Sequence, residues 1–191
     1  MITPPKGDYA SVPLNNEGRR VADTWNPAQD EAAGNQCKAY GVAAIMRVPG
    51  RVHVIWENDN TLRIDTDAGA QTRRLYFGTT QSSTREPLWQ GHSVAMWEAS
   101  AGRGQAQRGS LKVVTTSMRA GYLRSNGVPY SENAVVTEYF DQHVDYGVEW
   151  FTVTTIIEDP KYLTQPFITS TDFRREPDGS HWNPAPCEGG K

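Results

Sequence analysis

Hydrophobic and polar positions alternate through most of this chain. Short runs rich in Val, Thr, Ile and aromatic residues recur, each bounded by Gly, Pro, Asn or Asp. That is the pattern of consecutive antiparallel strands. It predicts strands over Arg51–Trp56, Thr61–Thr66, Thr72–Phe77, Trp89–Glu98, Leu111–Ser117, Ala134–Asp141, Trp150–Glu158 and Phe167–Phe173. Successive residues of a strand face opposite ways. Val52, Val54 and Trp56 therefore share one face, as do Ser93, Ala95 and Trp97, and Phe151, Val153, Thr155 and Ile157. Pro49-Gly50, Asn58-Asp59-Asn60 and Asp67-Ala68-Gly69 read as turns. Gly78–Pro87 reads as a polar loop, and Ser100–Gly109 as a mobile hairpin tip.

The flanks lack this rhythm. Residues 1–36 carry Pro4, Pro5, Pro13 and Pro27 and read as an extended N-terminal arm, with a short helix at Glu17–Trp25 and a further turn at Asp30–Ala33. Trp25 is the expected anchor of that arm, because one aromatic buries a large apolar area. Cys37–Arg47 reads as a buried strand or a loop entering one. Met118–Asn133 gathers aromatic, basic and turn residues and reads as a lid. Residues 37–176 would be the barrel domain and 177–191 a Pro/Gly-rich tail.

No helical pattern exceeds about ten residues, which points to an all-β fold. Meandering sheets usually close, because closure removes exposed edges. The expected architecture is an antiparallel up-and-down, calycin- or lipocalin-like β-barrel of about eight strands, wide enough for one small ligand. A two-sheet β-sandwich or jelly roll is the alternative.

Composition narrows the functions. A chain of 191 residues with net charge −3 and no basic block argues against nucleic acid. No run of about 18 apolar residues exists to span a membrane as a helix. Met1 followed by a proline-rich polar start reads as a chain from which a leader has been removed. The two cysteines, Cys37 and Cys187, lie near opposite ends. Neither has a second ligand at CxxC-like spacing, so a disulfide tying the tail to the N-terminal region is favoured over a metal or redox pair. It implies a secreted or periplasmic protein.

The candidate chemistry is sparse. There is no G-x-S-x-G elbow, Walker loop or G-x-G-x-x-G, and Gly102–Gly104 reads as a loop tip. His53, His92, His143 and His181 lack tight ligand spacing, so neither a metal nor another cofactor is implied. His92 sits mid-strand on the face of Glu98, about 20 Å from it along an extended chain. Glu138 stands on an otherwise apolar strand face, where a carboxylate is costly unless paired. It is either an interior base of raised pKa or half of a structural pair with an arginine such as Arg119 or Arg124. Tyr130 could act as an acid beside His92. Candidate ligand contacts are Trp97, Arg119, Tyr122, Ser131 and Tyr139.

Four segments carry a resemblance: WQGHSVAMWE from Trp89, GSLKVVTTSM from Gly109, GVPYSENAVVTEYF from Gly127 and VTTIIEDPKYLTQPF from Val153. Over roughly Cys37–Phe167 the chain resembles an uncharacterised group of exported β-rich proteins from soil bacteria, with WxGHSxxxWE and DPxxYTxPW-like motifs. The resemblance implies an exported β-rich domain. Tyr130 stands where the P-H-S pattern of that group has His, and Ser100–Gly109 is inserted between the first two motifs.

Two functions follow. The first is a cofactor-independent acid/base enzyme, an isomerase or lyase using His92, Glu138 and Tyr130 on a small organic or sugar-like molecule. The second is a non-catalytic barrel that binds a small ligand. Convergence of ionisable groups on one cavity favours the enzyme, and an apolar pocket favours the binder.

Overall fold

The computed structural model describes residues 4–78, 86–99 and 109–188. The polar loop expected at Gly78–Pro87 and the tip expected at Ser100–Gly109 lie largely outside them.

The helical elements come first. They are α1 (Asn16–Asp23), α2 (Pro27–Ala32), a 3₁₀ turn (Gln36–Tyr40) and α3 (Val42–Ile45). The strands are β1 (Val52–Asn58), β2 (Thr61–Thr66), β3 (Ala68–Gly69), β4 (Gln71–Phe77), β5 (His92–Ala99), β6 (Gly109–Thr116), β7 (Gly121–Arg124), β8 (Val128–Tyr130), β9 (Val135–Asp145), β10 (Val148–Glu158), β11 (Phe167–Arg174) and β12 (Ala185–Pro186).

The protein is all-β and barrel-like. Eight strands form one sheet in the order β1-β2-β4-β5-β6-β9-β10-β11, curled into a half-barrel. Most neighbours in the sheet are sequence neighbours paired antiparallel. The β4–β5 pair alone is parallel, with Leu75 opposite Ser93. Just before β5, Leu88 bridges Met118 in parallel. β1 and β11 are the two ends of the sheet.

The concave face is filled rather than closed. Ile45 and Met46 pack against Leu62, Ile64, Leu75, Ala95, Leu111, Val113 and Val153. Cys37–Arg47 is thus a 3₁₀ turn and a helical turn, not a strand. Its apolar run does not alternate, and burial on all sides suits either geometry. Gly41 is extended and Val42 N–H donates to the Trp89 carbonyl at 3.1 Å, which starts α3.

The segment expected as a lid is a wedge. β7 and β8 form a hairpin whose Leu123, Val128 and Tyr130 are buried with Tyr9, Val12, Leu14 and Ala22 of the N-terminal segment. The arm therefore contributes to the core. Asn15 and Asn26 cap α1 and α2 by accepting from Gly18 N–H and Ala28 N–H. Trp25 is half-buried, edge-on to Tyr122 at 6.5 Å, and lies against Gly127.

Cys37 and Cys187 form a disulfide across 150 residues of chain. The tail it holds adds β12 beside β3, with Ala185 opposite Ala68. No helix among the described residues is long and apolar enough to cross a membrane.

Candidate functional site

Two parts of the concave face bear on function: a sealed ionic cluster and an open aromatic row.

The cluster follows from register. Val113 on β6 and Thr155 on β10 both lie opposite Glu138 on β9, so all three share the inner face. Arg73 on β4 precedes Leu75 by two residues and shares that face as well. The Arg73 Nη2 group pairs with Glu138 Oε2. Arg73 Nε donates to Ser93 Oγ at 3.0 Å and Nη2 to Thr115 Oγ1 at 2.9 Å. Ser93 and Thr115 hydroxyls bond each other at 2.8 Å. Glu138 is 0% exposed and Arg73 3%. The partner of Glu138 is therefore Arg73, not Arg119 or Arg124. Arg73 was legible only as one of two adjacent arginines in a strand, with alternation putting it inward and Arg74 outward.

His92 lies on the other face. It pairs in register with Thr116, whereas its neighbour Ser93 pairs with Thr115. His92 is buried, stacked on Tyr76 at 5.1 Å between centroids. His92 and Glu138 project from opposite sides of the sheet, so the acid/base set does not meet in one cavity. Tyr130 is buried in the β7–β8 wedge, its hydroxyl against Gly41 and Gly121 and without a protein hydrogen-bond partner. Burial pushes its phenol well above the usual tyrosine range.

The other candidates are scattered. Glu98 pairs with Lys112 at 3.0 Å. Tyr139 lies under Lys112, with Nζ 5.6 Å from its centroid. Arg119 lies over Trp89 at 4.4 Å. Ser131 is buried, its N–H and Oγ both donating to the Asp159 carboxylate. Tyr122 donates to Asp30 Oδ2 at 2.6 Å, and burial followed by that carboxylate raises its pKa. Among the described residues no group of three or more His, Cys, Asp or Glu side chains is arranged to hold a metal ion.

The aromatic row uses strand ends. Trp56 lies opposite Leu62, and Leu62 opposite Leu75, so Trp56 faces inward. Phe77 lies opposite Ala95, two residues before Trp97. Trp97 lies opposite Leu111, and Leu111 opposite Phe140. Phe151 lies opposite Phe173. Two stacks result. Trp56 meets Phe77 at 5.2 Å and Phe77 meets Trp97 at 6.1 Å. Phe140 meets Phe151 at 6.4 Å and Phe151 meets Phe173 at 4.9 Å.

The stacks stand either side of β6, where the row holds only Leu111. Leu111 is buried in the core, so the open part of the row is the side that carries Trp56 and Trp97. Phe77, Phe140, Phe151 and Phe173 pack their inner edges on the core. Trp56 and Trp97 are 53% and 61% exposed, high values for tryptophan. Trp56, Asn58 and Asp59 border an open recess of about 460 Å³. The expected contact Trp97 belongs to this row. Its partners Trp56, Phe77, Phe140, Phe151 and Phe173 were not among the expected contacts; their positions at or near strand ends were the available signal.

The fold and site together define a β half-barrel with an aromatic concave face. No family model matches the chain, and neither a curated protein nor a solved structure is significantly similar to it.

Proposed function

We propose that this protein binds a small organic molecule bearing a flat apolar ring, held on the open rim of the concave face against Trp56, Phe77 and Trp97. The observation that carries this reading is the exposure of Trp56 and Trp97 on the face that elsewhere forms the core. Large aromatics left open on a concave, mostly apolar surface are the usual lining of a small-molecule site. The ionisable groups expected to do acid/base work lie elsewhere: Glu138 is sealed with Arg73 and His92 is on the far side of the sheet. Binding without catalysis is therefore the better-supported of the two functions. The Cys37–Cys187 disulfide supports work in an oxidising compartment, secreted or periplasmic, in keeping with the resemblance to exported β-rich proteins.

The test is titration of tryptophan fluorescence with naphthalene derivatives and phenyl glycosides. Saturable quenching is expected, weakened at least tenfold in Trp97→Ala and Trp56→Ala variants with unchanged far-UV CD. Absence of saturable binding, or equal affinity in both variants, would overturn the assignment.

A further inference from the structure

Three of the arginines that the fold takes partly out of solvent are matched by carboxylates, and two are not. Five arginines are buried or half-buried: Arg47, Arg51, Arg63, Arg73 and Arg124. Arg51 has Asp67 and Glu176, Arg63 has Asp65 and Glu57, and Arg73 has Glu138. Arg47 and Arg124 have no carboxylate within 4.0 Å among the described residues.

These two guanidiniums share one ring. Arg47 lies 5.2 Å and Arg124 5.8 Å from the centroid of buried Phe167, at the start of the edge strand β11. Arg47 Nη2 donates to the carbonyls of Ala43 and Leu123, and Nη1 to Thr169 Oγ1 at 3.3 Å. Arg124 donates to the Ala10 carbonyl at 3.1 Å and Ser11 Oγ at 2.8 Å. Every one of these acceptors is neutral. A guanidinium has five N–H donors, so Nε of Arg47 and part of its Nη1 are uncommitted. Burial, then the neighbouring Arg124, brings Arg47 down to about 10. Burial lowers Arg124 as well, with Asp8 opposing.

Two partly desolvated like charges on one ring are unfavourable without a counter-charge. An oxyanion that bridges two guanidinium forks gains short, charge-assisted hydrogen bonds from both. We propose that Arg47 and Arg124, beside Phe167 and Thr169, form a binding site for a small oxyanion, a carboxylate or phosphate group. The ring of Phe167 is buried, so it sets the two forks rather than stacking on the ligand. Arg124 is only half-buried, so solvent reaches the site from its side. The site is independent of the aromatic face.

The experiment is calorimetric titration of the intact protein with inorganic phosphate and with benzoate, in chloride of matched ionic strength. Thermal unfolding is followed in parallel. The expected result is saturable binding of one or both anions, a midpoint that rises with anion concentration, and at least tenfold weaker binding in Arg124→Gln. Phosphate binding alone identifies a phosphate site, and benzoate binding alone a carboxylate site. Arg47→Lys, which keeps the charge and loses the fork, is expected to weaken binding similarly. Arg124→Gln decides the matter if the lysine variant does not fold. No saturable binding of either anion, or an unchanged dissociation constant in Arg124→Gln, would overturn the proposal and leave both arginines as anchors of α3 and the N-terminal segment.

Discussion

Glu138 is wholly enclosed, and its charge is met by Arg73, which itself donates to the Ser93 and Thr115 hydroxyls. Removing one member of a buried pair leaves the other uncompensated. Glu138→Gln is therefore expected to lower unfolding free energy by about 3–5 kcal/mol in urea titration. A loss below about 1 kcal/mol would mean that Arg73 finds another counter-charge. Tyr130 presents the opposite case. Its buried hydroxyl has no protein partner, so Tyr130→Phe is expected to be neutral or stabilising by about 1 kcal/mol. The two raised phenols also fix an alkaline limb. Tyr122 and Tyr130 stay protonated in the folded chain at pH values where unfolded tyrosine ionises, near pH 10. Above that value the unfolded state binds fewer protons, so stability falls as pH rises, and the loss continues up to the folded values. Phe at both positions is expected to flatten that limb in a pH series of unfolding midpoints.

Elements here are held in place by neighbours distant in sequence. The β7–β8 hairpin is wedged between α1 and α3, and it turns at Gly127, whose φ is +85°. A side chain there would be strained and would also collide with Trp25. Gly127→Ala is expected to loosen both the hairpin and the N-terminal segment, costing about 2 kcal/mol or more and raising amide exchange in α1 and β8 together. If exchange rises in the hairpin alone, the two do not move as one unit. The strands themselves were readable, because half-buried sheets impose alternation: β6 buries Leu111, Val113 and Thr115 and half-exposes Lys112, Val114 and Thr116. The wedge was not readable, because turn residues around aromatics suit an exposed cover and a buried hairpin equally.

At the scale of the molecule, the disulfide links the two ends of the fold. In the chain-entropy account a loop of this length contributes about 5 kcal/mol by restricting the unfolded chain. Reduction is expected to lower the denaturant midpoint sharply, and the tail beyond β11 to become protease-sensitive, since β12 is only two residues long. Equal midpoints in the presence and absence of reductant would show that the tail adds nothing to global stability. The half-barrel also explains where a ligand could go. Helical turns and the hairpin fill the part of the concave face that a closed barrel would leave as a central cavity, and the open part is the rim where Trp56 and Trp97 stand.

Sequence alone determined the β class, the positions of the eight strands of the main sheet, which residues of each strand share a face and the cysteine pair, because these rest on local periodicity and on residue count. Alternation also put His92 and Ser93 on opposite faces, but it did not say which face of a strand looks inward. What only the tertiary structure decided was which strands adjoin. The parallel β4–β5 pairing brought Arg73, rather than Arg119 or Arg124, to Glu138, and it lined Trp56 and Phe77 up with Trp97. Strand order depends on a crossover whose path is a matter of long-range packing, and no local pattern encodes it.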